Sequence, residues 1–327
     1  MKNPTILGKF AMDKGSILER LFAMDEGSVL ERLKNQNMPC EVHLTNKHMK
    51  DDEVIKLFKN YVKLGKIQPY FLHIPTSEHH HIRIKGQQHV GEYFITPMTV
   101  VYEDDRTMLL KVAKLAEYIG DIMNSKVTIV IHNDITHRID KTNDKLEFSL
   151  VFLADLLDSH TNVNINIENL TAWNKDDIGY SYEGLEYIEL FNKRYPHLSG
   201  RVNITFDTCH AIATLRRFSN NPDLQLEYMK KDFRKLFETQ AKYITEIHLA
   251  NALGYGIEKG QHAAPFDIKD KSSMETLNFI IDVLEDNDYN GTITIEVTET
   301  EYPESTNHLK EYKALYKVLK ERNITTD

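Results

Sequence analysis

Four short segments of the chain share one pattern, in which an alternating apolar run ends in a carboxylate or a histidine. The segments are Asn164–Glu168, Asn203–Asp207, Ile244–His248 and Thr292–Glu296. Successive side chains of a β-strand point to opposite faces, so in three of these runs the apolar residues share one face. Several strands that end alike, with room for a helix between one and the next, predict a barrel whose ionisable groups converge at one mouth.

Strand and helix patterns alternate along the chain. The predicted strands are Pro4–Ala11, Pro39–Leu44, Gln68–His73, Val127–His132, Val163–Glu168, Val202–Asp207, Ile244–Leu249 and Thr292–Val297. The predicted helices are Asp51–Leu64, Thr107–Met123, Lys141–Leu157, Tyr182–Lys193, Leu224–Thr239, Ser272–Leu284 and Leu309–Lys320. Strand alternating with helix implies parallel strands, and this number of strands favours a closed (β/α)8 TIM barrel of the α/β class.

The length fits one such barrel with insertions. The chain has 327 residues, of which 41% are hydrophobic, whereas a barrel of this kind typically needs about 250 residues. We therefore assign residues 1–327 to a single domain. One insertion is a tandem duplication of 12 residues, Phe10–Leu21 and Phe22–Leu33, within residues 1–37, and we interpret it as a longer first helical region. The other is a histidine-rich loop over residues 77–104, which we interpret as solvated.

Composition and charge narrow the class of protein. The net charge of −9 gives no general attraction to nucleic acid. Cys40 and Cys209 are the only cysteines, which argues against a disulfide framework and fits a reducing compartment. The sequence contains no apolar run of about 18 residues and no glycine-rich nucleotide-binding motif after the first strand. We expect a cytoplasmic protein with no membrane contact and no nucleotide cofactor.

Ionisable residues at or just beyond the predicted strand ends are the candidate ligands. They are His73, His132, Glu168, Asp207, His210, His248, His262 and Glu296. Polar residues at the C-terminal strand ends form the active site of nearly every characterised TIM barrel, and imidazole with carboxylate suits zinc, manganese, cobalt or iron. Any one of these residues alone is more often structural, such as a hydrogen-bonded histidine. Their repeated position makes Glu168, Asp207, His248 and Glu296 a predicted divalent-metal site.

At these residues the chain resembles the xylose-isomerase-like TIM-barrel superfamily. The similar motifs are Ile167-Glu168-Asn169-Leu170, Asp207-Thr208-Cys209-His210-Ala211, His248-Leu249-Ala250-Asn251 and Ile295-Glu296. That superfamily includes sugar and sugar-phosphate isomerases and epimerases, and also apurinic/apyrimidinic (AP) endonucleases of the endonuclease IV type. The resemblance runs from about His73 to Glu299 and is specific for the superfamily rather than for one reaction.

Resemblance to the ketose epimerase branch implies a single metal ion held by Glu168, Asp207, His248 and Glu296. In that branch the two glutamates lie on opposite sides of the substrate and move protons, while the metal polarises a carbonyl and an adjacent hydroxyl. His210 would then hold a substrate oxygen. The implied substrate is a small sugar or sugar phosphate.

Resemblance to the endonuclease branch implies three zinc ions and a DNA substrate. The ligands of the first zinc match His73, His132 and Glu168. Glu168 would bridge to a second zinc held by the other three residues of the quartet. The third zinc would use His210, His262 and an aspartate, but Gly260 stands at the position of that aspartate.

Three functions stay open from the sequence. A metal-dependent isomerase or epimerase is favoured, because both proton-transferring glutamates are present, the trinuclear set is incomplete and the chain is acidic. A zinc-dependent phosphodiesterase or AP endonuclease comes second, supported by His73 and His132, which a plain epimerase does not need. A non-catalytic binding protein comes third. Converging carboxylates cost stability unless a cation or proton neutralises them, so the intact quartet favours a working metal site over a barrel without chemistry. The sequence leaves the substrate, the native metal and the oligomeric state open.

Overall fold

The structure is a computed structural model that describes residues 1, 4–11, 38–45, 49–74, 103–132, 143–171, 180–218, 225–253, 262–298 and 306–325. Most of the duplicated 12-residue segments, residues 77–102 of the histidine-rich loop and Gly260 lie outside these ranges. Within the described ranges, no helix is both long enough and apolar enough to cross a membrane.

Eight parallel strands close into a barrel in the order of the sequence, with the last strand beside the first. The strands are β1 Thr5–Ala11, β2 Met38–His43, β3 Ile67–His73, β4 Val127–His132, β5 Val163–Glu168, β6 Val202–Asp207, β7 Ile244–Leu249 and β8 Thr292–Ile295. Their bounds agree with the predicted strands to within two residues. The predicted α/β TIM-barrel fold is therefore confirmed.

Helices connect the strands around the outside of the barrel. Those in the described ranges are α1 Asp52–Lys63, α2 Glu103–Met123, α3 Asn143–Ser159, α4 Tyr180–Arg194, α5 Thr208–Phe218, α6 Gln225–Gln240, α7 Lys271–Asp286 and α8 Thr306–Glu321. The sequence pattern predicts every one of these except α5. The helix α5 is short and begins at Thr208, directly after the last residue of β6, so no loop separates it from the strand and marks its start.

Side chains alternate between the two faces of the strands, and this alternation separates the core from the barrel interior. Ile165 and Ile167 of β5 belong to the hydrophobic core that the barrel forms with its helices. Glu168, the last residue of β5, instead reaches His73 of β3. Because β3 and β5 are not neighbouring strands, this contact crosses the barrel interior. Ionisable strand-end residues therefore point inward, where they can meet.

The barrel interior below the mouth is apolar on one side and polar on the other. Strands β1, β3 and β4 contribute an apolar cluster of Leu7, Phe71 and Val130. Strands β5 to β8 contribute a hydrogen-bonded set of Asn166, Thr205, Glu246 and Thr294. The same four strands carry Glu168, Asp207 and His248 near their C-terminal ends and lead directly into Glu296.

Candidate metal centre

Glu168, Asp207, His248 and Glu296 converge at the C-terminal ends of β5, β6, β7 and β8. Each offers one ligand atom, and these atoms all lie within 4.8 Å of one another. His248 Nδ1 lies 2.5 Å from Glu296 Oε2 and 3.4 Å from Glu168 Oε1. Glu296 follows β8 directly and is the most accessible of the four, with a side chain that is 21% exposed. The structure thus brings the predicted quartet together.

The polar atoms at the centre of this quartet fit a cation. His248 Nδ1 and Glu296 Oε2 are buried and have no hydrogen-bond partner among the residues that the structure describes. The other ring nitrogen of His248, Nε2, is already bonded to Glu41 at 2.8 Å. Burial acts to lower the pKa of His248, but the charges of Glu41, Glu296 and Glu168 raise it well above its ordinary value. In the metal-free protein Nδ1 therefore carries a proton towards these carboxylates, and a divalent cation would take the place of that proton. The donor set suits zinc, manganese or cobalt.

His73, His132 and Glu168 form a second group of possible ligands beside the first. His73 Nε2 lies 2.8 Å and His132 Nε2 lies 3.6 Å from Glu168 Oε2. His73 Nδ1 donates to the Ile74 carbonyl at 3.1 Å, so Nε2 is the ring nitrogen that faces Glu168. Glu168 therefore offers one oxygen to each group of ligands.

His210 and His262 form a separate pair at the rim of the quartet. Their Nε2 atoms are 2.9 Å apart, and His210 Nδ1 donates to the Asn169 carbonyl at 2.8 Å. His210 Nδ1 also lies 3.5 Å from both Glu168 and Asp207. Position 260, where the sequence lacks the expected aspartate, lies outside the described residues.

Charge sets the protonation states in the centre. Burial, together with the charges of Glu296 and Glu168, raises the pKa of Asp207 to about 8. Burial also acts to raise the pKa of Glu168 and Glu296, but the contacts of both with His248, and of Glu296 with Lys9, hold their pKa values well below the usual range. One proton on Asp207 thus relieves the repulsion among these carboxylates, and a bound cation would replace it.

Burial favours the neutral form of three histidines of the site, His132, His210 and His262. It lowers the pKa of His132 to about 3, and it lowers the pKa values of His210 and His262 below their ordinary value. A neutral imidazole is the form that binds metal ions. These side chains are therefore in the state that ligands or hydrogen-bonding groups for a substrate require.

Local structure holds the ligands in place. Asp207 accepts the backbone N–H of His210 through Oδ1 at 2.7 Å, so it caps the first turn of α5 while Oδ2 remains on the side of the centre. Asn169 exchanges two hydrogen bonds with the backbone of Asp207, which joins the end of β5 to the end of β6. The strand-end motifs fix ligand geometry as well as supplying ligands.

Comparisons with known proteins place this site within a family. A family model described as xylose isomerase-like TIM barrel matches residues 89–321, which is more than half of the chain. The chain belongs to the xylose isomerase-like TIM barrel family. No curated protein matches it significantly.

Solved structures similar to this chain include a sugar epimerase and an AP endonuclease. A xylose isomerase domain protein from Planctomyces limnophilus is 18% identical, covers 98% of each chain and has a TM-score of 0.60. D-allulose 3-epimerase from a Methylomonas species, in complex with D-allulose, is 13% identical, covers 98% of each chain and has a TM-score of 0.54. A family 2 AP endonuclease from Brucella melitensis is 12% identical, covers 93% of this chain and 96% of that one, and has a TM-score of 0.53. At sequence identities this low, the structural similarity shows only that the fold is shared.

The structure adds four residues of the family barrel that the sequence analysis does not identify. They are Lys9, Glu41, His43 and Glu246. Lys9 Nζ lies 2.6 Å from Glu296 and 3.1 Å from Glu41, and the His43 ring stacks on His73 at 4.6 Å. A charged residue in the middle of an apolar strand is the signal that could have found Lys9, Glu41 and Glu246. His43 carries the same strand-end signal as His73, but on β2.

Proposed function

We propose that the chain is a divalent-metal-dependent isomerase or epimerase that acts on a small sugar or sugar phosphate. The observation that carries this proposal is a pair of carboxylates around one imidazole nitrogen. Glu168 and Glu296 both approach His248 Nδ1, at 3.4 and 2.5 Å. Two carboxylates at one ligand position provide what epimerisation needs, a base on one face of a carbon and an acid on the other.

Each residue of the centre has a role in this reaction. A divalent cation held by the quartet would polarise a substrate carbonyl as a Lewis acid. Glu296, which is partly exposed, moves a proton at one face of the substrate carbon. Glu168, which is buried and held by His73, moves a proton at the opposite face. His210 would hold a substrate oxygen through Nε2, in place of its 2.9 Å contact with His262 Nε2, because its Nδ1 is committed to the Asn169 carbonyl.

Family membership and fold likeness support the substrate class. One of the similar structures is a D-allulose 3-epimerase with its sugar bound.

We also propose a cytoplasmic location, in keeping with two cysteines that are free thiols, Cys40 and Cys209.

A zinc-dependent phosphodiesterase that acts on DNA, as AP endonucleases do, is the second candidate. The observation that favours it is the second ligand group, in which His73 and His132 surround Glu168 Oε2. Two metal ions that share one carboxylate suit phosphoester cleavage, because they can stabilise both the attacking and the leaving oxygen.

The first experiment is elemental analysis of protein purified without chelator or histidine tag. One manganese, cobalt or similar ion per chain supports the isomerase, which is then assayed with ketoses and sugar phosphates. Two or three zinc ions per chain favour the phosphodiesterase and an assay with abasic-site DNA. A metal-free protein, even after reconstitution, contradicts both metal mechanisms.

The second experiment tests the two glutamates. We expect Glu168→Gln and Glu296→Gln each to abolish sugar turnover, because a neutral amide cannot accept the proton. Glu275→Gln, on the outer surface of α7, is the matched control and should keep full activity. Full activity in both site variants would exclude the two-glutamate mechanism, and retained sugar binding without turnover in the unchanged protein would favour a binding function.

A further inference from the structure

Glu41 lies in the barrel interior, on the far side of His248 from the quartet. Its Oε2 is 2.8 Å from His248 Nε2, and neither side chain is exposed to solvent. The two residues come from β2 and β7, which are not neighbouring strands, so the bond spans the interior. Nothing in the sequence around Glu41 resembles a ligand motif.

The bond to Glu41 determines which nitrogen of His248 faces the quartet. An ionised carboxylate only accepts hydrogen bonds, so Nε2 must carry the proton that it donates. With Nε2 committed to Glu41, Nδ1 is the ring nitrogen left to bind a cation, and Nδ1 is the atom that lies beside Glu168 and Glu296. Carboxylates in this relation to a metal-binding histidine fix its tautomer and orientation and increase its basicity.

Lys9 binds one oxygen of each of two carboxylates, Glu41 and Glu296, and leaves the other oxygen of each to face His248. Its ammonium lies 3.1 Å from Glu41 Oε1 and 2.6 Å from Glu296 Oε1. The opposite oxygens then have separate tasks, since Glu41 Oε2 accepts from His248 and Glu296 Oε2 faces His248 Nδ1. The Lys9 ammonium thereby holds Glu41, which positions His248, and also binds the Glu296 oxygen that points away from His248.

We infer that Glu41 is a positioning residue of the metal centre, which fixes the tautomer and orientation of His248 while Lys9 keeps Glu41 in place. This role rests on the proposed metal site. It assigns to β2 and β1 a part in metal binding, although neither strand contributes a member of the quartet.

The test is a titration of metal-free protein with Co²⁺ alone, followed by visible absorption. We expect Glu41→Gln to weaken Co²⁺ binding by about 10- to 100-fold, the usual cost of losing such a support. Glu311→Gln is the matched control, because Glu311 is an equally buried glutamate whose carboxylate accepts the Phe266 backbone N–H, away from the quartet. It should bind Co²⁺ like the unchanged protein.

The outcomes separate this role from the proposed function. Equal Co²⁺ affinity in Glu41→Gln and the unchanged protein would overturn the role of Glu41 and leave the metal site intact. Equal losses in Glu41→Gln and Glu311→Gln would also overturn it, because the loss would then be general to buried carboxylates. Failure of the unchanged protein to bind Co²⁺ would overturn the metal site, and the role of Glu41 with it.

A second measurement does not depend on any variant. In the proton NMR spectrum of the Co²⁺-loaded protein, the Nε2–H of a His248 bound through Nδ1 should give a strongly shifted, exchangeable resonance. Because this proton is hydrogen-bonded to Glu41 and buried, its exchange with solvent should be slow. If selective ¹⁵N labelling of histidine shows that His248 has no such proton, the tautomer and the role of Glu41 are both wrong.

Discussion

Lys9 is a buried cation in a barrel interior crowded with carboxylates. Burial alone would lower the pKa of its ammonium, but the charges of Glu296, Glu41 and Glu168 outweigh burial and raise that pKa well above its ordinary value. Lys9 in turn, with His248, holds the pKa of Glu41 at about 2 despite the opposing effect of burial. The ammonium is therefore part of the charge balance that allows these groups to share one interior.

Replacing Lys9 should destabilise the fold. We expect Lys9→Met to lower the free energy of unfolding by about 3–5 kcal/mol, because removing one partner leaves buried carboxylates unpaired. Urea denaturation of the metal-free protein measures this change. Lys271→Met removes an ion pair of a lysine that is 92% exposed, so that control should stay within about 0.5 kcal/mol. Similar values for the two variants would contradict the role of the Lys9 ammonium.

Asp207 should make the stability of the metal-free protein depend on pH. Its carboxyl group keeps a proton up to about pH 8 in the folded state but loses it near its ordinary pKa of 3.8 when unfolded. The folded state thus binds more protons between these values, so the contribution of Asp207 is complete below about pH 4 and is lost as the pH rises through 8. Buried, neutral His132 acts in the opposite sense only below its ordinary pKa of 6.5.

The window between pH 6.5 and 8 excludes the opposing effect of His132, and within it His248, Glu246 and Glu311, whose pKa values are also raised, act in the same sense as Asp207. We expect the free energy of unfolding in the presence of a chelator to fall across this window. Asp207→Asn, which is neutral at every pH, should reduce the slope. Metal affinity should change in the opposite direction and rise with pH, because the ion displaces the proton on Asp207. A stability that is flat in the unchanged protein would show that Asp207 is already ionised.

At the scale of elements, the connection between β5 and β6 determines the geometry of two ligands. Asn169 donates to the Asp207 carbonyl at 3.0 Å and accepts the Asp207 N–H at 2.7 Å. Its own carbonyl accepts from His210 in α5. The side chain of Asn169 therefore ties the end of β5 to the end of β6, and its backbone carbonyl ties β5 to the start of α5.

Removing this side chain should loosen both strand ends. We expect Asn169→Ala to cost about 1–3 kcal/mol for each buried backbone group that is left unpaired, and to weaken metal binding because Glu168 and Asp207 lose their shared anchor. Thermal or urea unfolding and a metal titration report the two effects. Asn203→Ala, which removes one exposed hydrogen bond to Gly200, is the control and should change neither. Unchanged metal affinity in Asn169→Ala would contradict the anchoring role.

At the scale of the whole molecule, every strand of the barrel delivers an ionisable group to the same interior. In strand order these groups are Lys9, Glu41, His73, His132, Glu168, Asp207 and His248, followed by Glu296 directly after β8. Because the quartet joins strands that are distant in sequence, its four ligands come together only in the folded barrel. Metal binding should therefore be linked to global unfolding.

This linkage predicts how a metal ion stabilises the protein. We expect the free energy of unfolding to rise with ion concentration, by about 2.7 kcal/mol at one hundred times the dissociation constant. Unfolding measured at a series of Co²⁺ or Mn²⁺ concentrations tests the relation. Glu296→Gln, which loses a ligand carboxylate, should show a smaller rise at the same concentrations. A stability independent of the ion would mean that no site forms in the folded state.

The sequence by itself determined the strands, their parallel order and the identity of the quartet. These features follow from local chemistry, because alternation along a strand and an ionisable residue at its end are both visible within five or six residues. The sequence pattern did not predict α5, because this short helix follows β6 without an intervening loop.

Only the tertiary structure decided how the quartet is supported. Lys9 and Glu296 are separated by 287 positions, and Glu41 and His248 by 207. Such contacts exist because the closed barrel places β1 beside β8 and lets β2 and β7 face each other across the interior. No local pattern encodes which groups then meet. The same closure sets the tautomer of His248 and the pKa of Asp207, because both depend on charges and burial that distant strands provide.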